Sequence, residues 1–422
     1  MKSAVFAIPV LAAFAAFADP SITDQSLVRN ADGSVTITYT LVDGPAIVTL
    51  DMLDNGVSIG ATNLWALSGD VNMVVDKTAC SIRWNPSVAW KGHLTSKLSA
   101  ALTAWKLTDP PDYLVFDLTP NPVVRKRYYA SEDAIPGGIL ANEAYRRYLM
   151  PMRRMHSKGV AWTMGTSSES TYYNADEAEH TVTLDHDYYI GVFEVTRGQY
   201  ATVTGGWNPV ADNAGPEHIV ALRPIVRTTY GTVRGNDTDN LYPAAPSTSS
   251  ITGKFLARAG DSTIDLPSEA EWEFAARGGH YGDTWGDGSN ISGKTTDDNL
   301  AQLGRYSGNK DSEDITDGTR SGFGFCGSYK KNNYGLYDMN GNEQEWCIDW
   351  YQDDITWNTT GIVNANGKYH YDGVTTNAYR IVRGGYYGSN AQACRNARRA
   401  KYLPAKYYTE VGMRLVCRDT LP

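Results

Sequence analysis

No basic run long enough to follow a phosphate backbone occurs in the 422 residues, and the formal net charge is −9. Both features exclude a nucleic-acid binder; the arginines around Arg395, Arg398 and Arg399 make only a local positive patch. Past residue 18 no stretch is apolar enough to cross a bilayer. Cysteine is scarce. The five present (Cys80, Cys326, Cys347, Cys394, Cys417) are an odd number, so at least one stays unpaired. The seven histidines are scattered as His93, His156, His180, His186, His218, His280 and His370. His180 and His186 are evenly spaced on a strand-like run and can share a face, but without a third partner they read as surface or packing residues. The HExxH and GxSxG patterns of zinc peptidases and serine hydrolases are absent.

What is abundant is tyrosine (27), tryptophan (11) and glycine (40), on a composition that is 42% hydrophobic and 20% charged. That combination suits a folded, loop-rich protein in which large aromatics pin irregular backbone. The length implies two or three domains. Residues 1–18, MKSAVFAIPVLAAFAAFA, carry one lysine, an apolar run and a small-x-small end at Ala16-Phe17-Ala18, and read as a secretory signal cut before Asp19. An uncleaved membrane anchor is the alternative; the shortness of the run and Pro9 favour cleavage. The expected location is therefore periplasmic, cell-surface or extracellular, where disulfides are permitted.

From 19 to 118 short β-rich runs (SVTITYTLV, AIVTLDML, VNMVV, YLVFDL) alternate with turns such as Asn30-Ala31-Asp32-Gly33 and Asp54-Asn55-Gly56. Their spacing predicts a small β-sandwich of immunoglobulin or fibronectin type, with GHLTSKLSAALTAWKL open to a helical reading. Cys80 reads as a small buried hydrophobe or the odd thiol. Residues 119–158 are expected to be a connector whose segment ANEAYRRYLMPMRRM forms a docked helix with a basic face. From 159 the texture becomes mixed. VAWTMGT and HTVTLDHDYYIGVFEVT predict strands, and Thr196 caps a helix over RGQYATVT. Ser268 and Glu271 form a capping box ahead of an amphipathic helix that stops at Gly278-Gly279.

Five motifs then agree in type and order: VAWTMGT, YYIGVFEVTRGQY, LPSEAEWEFAARGG, NNYGLYDMNGNEQEW, and RGG followed by VGMRLV. Over residues 159–417 the chain resembles the formylglycine-generating enzyme (sulfatase-modifying factor) family. The resemblance implies an α+β domain of low regular structure, like a distant C-type lectin, stiffened by calcium. It also implies O2-dependent oxidation of a sulfatase cysteine to formylglycine, using Cu(I). By similarity Asp338, Glu345 and the carbonyls of Gly341 and Glu343 match one calcium loop, and hard oxygen ligands of this kind suit Ca2+. Asn299, the carbonyl of Leu300 and Asp317, or Asp314 in its place, match a second. Gln344 stands where the family usually has an aromatic residue.

The copper pair of the family falls on Ser389 and Cys394, five apart after Arg383-Gly384-Gly385. Cu(I) prefers soft thiolate, and a serine hydroxyl is a hard donor, so the copper site is expected to lack its second ligand. Tyr386 also replaces a serine usual in the family. Cys394 is expected either to form a disulfide with Cys326, Cys347 or Cys417 or to be a reactive thiol. Three functions follow as expectations: an oxidase acting on a sulfatase polypeptide; a non-catalytic module that binds a peptide or glycan in a pocket of Tyr386, Tyr387, Ser389, Asn390 and Arg395; or a different oxidase using Cys394 alone. The arginines of the same stretch can bind a carboxylate or sulfate, or brace loops.

Overall fold

Alternating hydrophobicity builds the N-terminal part, as the sequence predicts. The computed structural model describes residues 18–93, 95–206, 220–235, 242–310, 322–361 and 379–418. Two units form, one from residues 18–59 and 66–110, the other from 60–65 and 111–418. The first contains strands β1 (Ser21–Arg29), β2 (Val35–Val42), β3 (Ala46–Asp54), β4 (Val57–Ser58), β5 (Leu67–Gly69), β6 (Met73–Val75), β7 (Ala79–Trp84) and β8 (Leu98–Trp105). They make two antiparallel four-stranded sheets, one ordered β1-β2-β7-β5, the other with β3 paired to β4, β6 and β8. In β2 and β7 every second side chain is buried: Val35, Ile37, Tyr39 and Leu41, then Cys80, Ile82 and Trp84. Cys80 is thus a core residue whose thiol faces the Lys77 carbonyl at 3.2 Å.

The Ala-Leu run at 98–105 is a strand, not a helix. It pairs with β3 from Leu98 opposite Asp54 to Trp105 opposite Ile47, and its exposure alternates with period two. Sheet pairing overrides the weak helical preference of alanine and leucine here.

The second unit holds β9 (Tyr113–Asp117), β10 (Lys126–Tyr129), β11 (Leu149–Met155), β12 (Ala161–Met164), β13 (His180–Thr183), β14 (Tyr188–Gly191), β15 (Ile264–Asp265), β16 (Gln344–Trp350), β17 (Arg380–Arg383), β18 (Ala400–Tyr402), β19 (Val411–Gly412) and β20 (Val416–Cys417). A six-stranded sheet runs β10-β9-β11-β14-β20-β15, a four-stranded one β18-β17-β16-β19, and β12 pairs with β13. Two expectations change. YLVFDL does not close the N-terminal sandwich, because β9 lies between β10 and β11 in the second unit. Nor is 119–158 a connector with a docked helix: its helical parts are a 3-10 turn at Glu132–Ala134 and one α-turn at Ala144–Arg147, and LMPMRRM is the strand β11, paired on both sides. Pro151 explains the choice. It would break a helix, whereas in β11 its carbonyl accepts the Val192 N–H at 2.9 Å. The basic face dissolves into local pairs, Arg153 with Asp112 and Arg154 with Asp187.

The two predicted capped helices are present. Thr196 and Gln199 box the start of Arg197–Thr204, and Ser268 and Glu271 that of Glu269–Arg277, which ends at Gly278 with φ 58°. The second helix packs in a core with Trp162, Met164, Tyr188, Ile190, Leu336 and Ile381.

His180 and His186 form no pair. His180 faces the Ala178 carbonyl at 2.9 Å, while His186 bridges Asp185 (2.6 Å) and the buried Glu271 (2.9 Å), which also holds Arg418. Burial alone would lower the His186 pKa, but the Glu271 carboxylate outweighs it and the net direction is upward. Glu271, despite burial, is held at about 2 by Arg418 and His186. Since the folded pKa of His186 exceeds its unfolded value, its contribution is complete below the unfolded pKa of about 6.5 and lost as pH rises through the raised folded value. Each tenfold gain in proton affinity on folding is worth about 1.4 kcal/mol. Urea unfolding across this range should show stability falling with pH in the native chain and a flatter profile in His186→Gln.

Candidate functional site

The RGG stretch begins where β17 ends. Gly384 and Gly385 take φ of 94° and 72°, and a Cβ on Gly385 would lie 2.6 Å from the Cys394 sulfur and 2.9 Å from the Ala393 carbonyl. Only glycine lets the chain lie flat on Cys394. The loop then closes on itself. Ser389 Oγ accepts the Tyr386 N–H at 3.1 Å, Ser389 N–H donates to the Tyr386 carbonyl at 2.8 Å, and Asn390 caps the turn Ala391–Cys394 through the Ala393 N–H at 3.0 Å.

Cys394 is fully buried among Trp285, Leu300, Leu303, Tyr306 and Ala391. Burial pushes its thiol well above the ordinary range, and no cation offsets it. All five cysteines are buried and none is in a disulfide, so the expected disulfide of Cys394 is not formed. The residues do not fit Cu(I): the one sulfur is a sealed, protonated thiol, and the companion position is a hydroxyl already bonded to backbone.

The arginines of this stretch are braces. Arg395 is 2% exposed and holds Glu177 at 2.7 Å, so it belongs to the packing and not to a pocket. Arg398 reaches the same Glu177 at 3.2 Å, Arg399 holds Glu269 at 2.7 Å, and Arg383 pairs with Glu273 while donating to the Ala397 and Arg398 carbonyls. What remains open is aromatic. Tyr386 and Tyr387 are half-buried and meet edge to face at 5.4 Å, and Phe323 adds a second such contact to Tyr387 at 4.8 Å. Tyr402 stacks on Tyr408 at 4.0 Å and donates to Gln344 and Glu410. Burial, then the Glu410 charge, raises the pKa of both Tyr386 and Tyr402. Phe323, Tyr402, Tyr408 and Glu410 carried no sequence signal, since no motif contains them.

The calcium-type loop lies directly against the RGG turn. Gly341 N–H donates to the Gly384 carbonyl (2.8 Å), Tyr387 N–H to that of Asn342 (3.0 Å), and Asn340 Nδ2 to that of Cys394 (2.8 Å). Asp338, Glu343, Glu345 and Glu194, which the sequence reading missed, are four buried carboxyl groups served by Arg414. Glu345 takes Arg414 through both oxygens (2.8 to 3.1 Å) and Trp272 Nε1 at 2.6 Å. Asp338 uses one oxygen for the Gly327 N–H (2.6 Å) and Glu343 one for the Met413 N–H (3.1 Å). The second oxygen of each is buried with no donor. Burial pushes Asp338 up to about 6, and raises Glu194 and Glu343 well above the carboxylate range. Orphaned oxygens and surplus buried acid fit a hard cation at Asp338. Glu345 is the weaker match because its oxygens are already engaged. Among the described residues no three His, Cys, Asp or Glu side chains converge on one metal position.

The other loop is held otherwise. Asn299 Nδ2 donates to the Asn290 carbonyl, and the Leu300 carbonyl accepts the Gly304 N–H at 3.0 Å. Its organiser is Asp297, which takes the N–H groups of Ser292, Gly293, Asn299 and Leu300. Asp317 and Asp314 lie outside the described residues. Gly288–Thr295 has the G-x-x-x-x-G-K-T spacing of a phosphate loop. It follows no strand and opens no helix, and two of its N–H groups are those taken by Asp297, so it is no phosphate cradle.

The fold and this site define a formylglycine-generating-enzyme-like α+β domain. The profile of the sulfatase-modifying factor enzyme 1-like domain matches residues 153–419, and the chain belongs to that family. It is 30% identical over 224 residues to the chaperone protein LppX of Paenibacillus barcinonensis, covering 48% of this chain and 74% of that protein. To the formylglycine-generating enzyme of Streptomyces coelicolor it is 34% identical over 154 residues (35% of this chain, 45% of that one). To the inactive C-alpha-formylglycine-generating enzyme 2 of Mus musculus it is 41% identical over 87 residues (21% and 26%). The chain thus spans less than half the length of these two enzyme-type relatives.

Arg414 is the counter-charge for the whole carboxyl cluster. Arg414→Met should destabilise the second unit by about 3–5 kcal/mol, the usual effect of stranding a buried charge. Urea unfolding at neutral pH checks this, and a change below about 1 kcal/mol would show that the cluster does not need the guanidinium.

Proposed function

We propose that the chain is an exported, non-catalytic member of its family that binds a peptide or glycan on the aromatic surface around Tyr386 and Tyr387. The observation that carries this is Cys394, sealed beneath Gly385, while the companion position, Ser389, carries a hydroxyl that is bonded to the Tyr386 N–H in place of a second sulfur. A Cu(I) oxidase needs two thiolates, and a buried thiol with no cation beside it stays protonated. Half-exposed tyrosines held rigid by edge-to-face contacts suit recognition, because they offer apolar area and hydroxyls with little entropy to lose. Two relatives bear the names of a chaperone and of an inactive enzyme, which supports a role other than oxidation. Export rests on the signal-like residues 1–18, largely outside the described part.

Two experiments test the proposal. Under reducing conditions the purified protein should fail to hold Cu(I) against a chelator and should leave a CxPxR-type sulfatase peptide unchanged in mass under O2. Retention of Cu(I) with conversion of the peptide cysteine would overturn the binding role.

Calcium at Asp338, with the carbonyls of Gly341 and Glu343 and the Glu345 carboxylate, belongs to the same proposal. Its support is the orphaned Asp338 oxygen and the uncompensated acids around it. An ion present at a hundredfold over its Kd stabilises by about 2.7 kcal/mol. Chelation should therefore lower Tm by several degrees, and Asp338→Ala should remove that sensitivity. An unchanged Tm on chelation argues against the ion.

A further inference from the structure

The turn that carries the proposed cation position also holds two arms of the aromatic surface. Asp338 and Asn342 both take left-handed φ, 58° and 63°, and Gly341 has φ 107°, with an added Cβ only 2.3 Å from the Arg305 carbonyl. Three such residues in a row of five make a tight, strained turn. Asn342 is 1% exposed and every polar group on it is engaged. Its N–H donates to the Arg305 carbonyl (2.7 Å) and its Nδ2 to Glu194 (2.6 Å), while its Oδ1 accepts the Gly324 N–H (2.8 Å) and its carbonyl the Tyr387 N–H (3.0 Å).

One of these bonds leads to Phe323, the neighbour of Gly324, and another to Tyr387, and the two rings meet at 4.8 Å. Asp338 adds a second hold on the first arm through the Gly327 N–H at 2.6 Å. Among the described residues no hydrogen bond joins 338–342 to the turn at 403–408, which carries Tyr408. The remaining Asp338 oxygen is buried without a donor, as is one oxygen of Glu343. A buried acceptor left unpaired favours any motion that lets water reach it. Opening of the turn is such a motion, and it breaks the bonds from Gly324, Gly327 and Tyr387 together.

We propose that cation occupancy at Asp338 governs the order of the aromatic surface. The ion holds the turn closed, and Asn342 is the positioning residue that passes this order to Phe323 on one side and Tyr387 on the other. The inference rests on the cation and the binding surface proposed above and adds the coupling between them. An ion that binds only the closed turn makes opening rarer in proportion to its concentration over Kd. By linkage, any ligand that needs the ordered surface then binds more tightly in the presence of the ion.

The test is residue-resolved amide hydrogen exchange of the full chain, without a ligand for the surface, in EGTA and in Ca2+ at about a hundredfold over its calorimetric Kd. Exchange at Gly324, Gly327 and Tyr387 should slow by up to about a hundredfold, the factor by which opening is suppressed, while the 403–408 turn changes by less than about twofold. Asp338→Asn keeps the side-chain shape, removes the charge and should abolish the calcium response at all three amides. Asn342→Gly accepts the left-handed φ and lacks the side chain, so Gly324 should lose its response while Gly327, bonded to Asp338, keeps it. A general loss of stability would not produce that split. The native-chain comparison decides the coupling even where Asn342→Gly does not fold. A Tm raised by Ca2+ with equal slowing at 403–408, Gly324 and Tyr387 would overturn the coupling and leave the ion in place. No calcium effect on Tm or on exchange would overturn both. Since no surface ligand is used, failure of the peptide or glycan role is a separate result.

Discussion

The guanidinium of Arg414 holds the second unit together. Fully buried, it takes both oxygens of Glu345 on β16, the Gly191 carbonyl on β14 and the Tyr337 carbonyl ahead of the calcium-type loop. One planar fork thus joins two sheets and the loop between them: Nε and Nη2 grip Glu345, Nη2 also reaches Tyr337, and Nη1 reaches Gly191. A buried pair of this kind gives modest net stability, because desolvation offsets most of the attraction. What it does supply is a fixed geometry. Around it sit Glu194, Asp338 and Glu343, acids that remain protonated or wait for a cation, since one arginine cannot neutralise four carboxyls.

The same loop positions the RGG turn. Three hydrogen bonds, from Gly341, Tyr387 and Asn340, tie residues 340–342 to the segment that carries Ser389 and Cys394. That segment carries one sulfur, on Cys394, and a hydroxyl on Ser389. Cys394 is part of the core, and the arginines that fence it are joined to Glu177, Glu269 and Glu273. The side chains that still reach the surface include Tyr386, Tyr387 and Asn390. Tyr386 and Tyr387 meet edge to face, with Phe323 adding a second such contact.

Much of this was legible in advance where the signal is local. A capping box needs four residues, so Ser268 with Glu271 and Thr196 with Gln199 could be read directly. The period-two alternation of β2 and β7 was equally plain. Residues 98–105 and 149–155 misled because their local preference and their pairing disagree: alanine and leucine favour a helix, and the arginines of β11 resemble a basic helical face. Only the neighbouring strands decide such cases.

By itself the sequence determined the family, the capped helices, the short strands of the first unit and the chemical fact that Ser389 is not a thiolate. Those depend on residue identity and short spacing. The tertiary structure alone decided that β9 to β11 belong with the second unit and that none of the five cysteines is in a disulfide. It alone showed Arg395 bracing Glu177, and Glu194 joining a carboxyl cluster whose members are up to 151 residues apart in the chain. Burial and charge balance are properties of neighbours in space, and the order of residues along a chain does not contain them until the chain has folded.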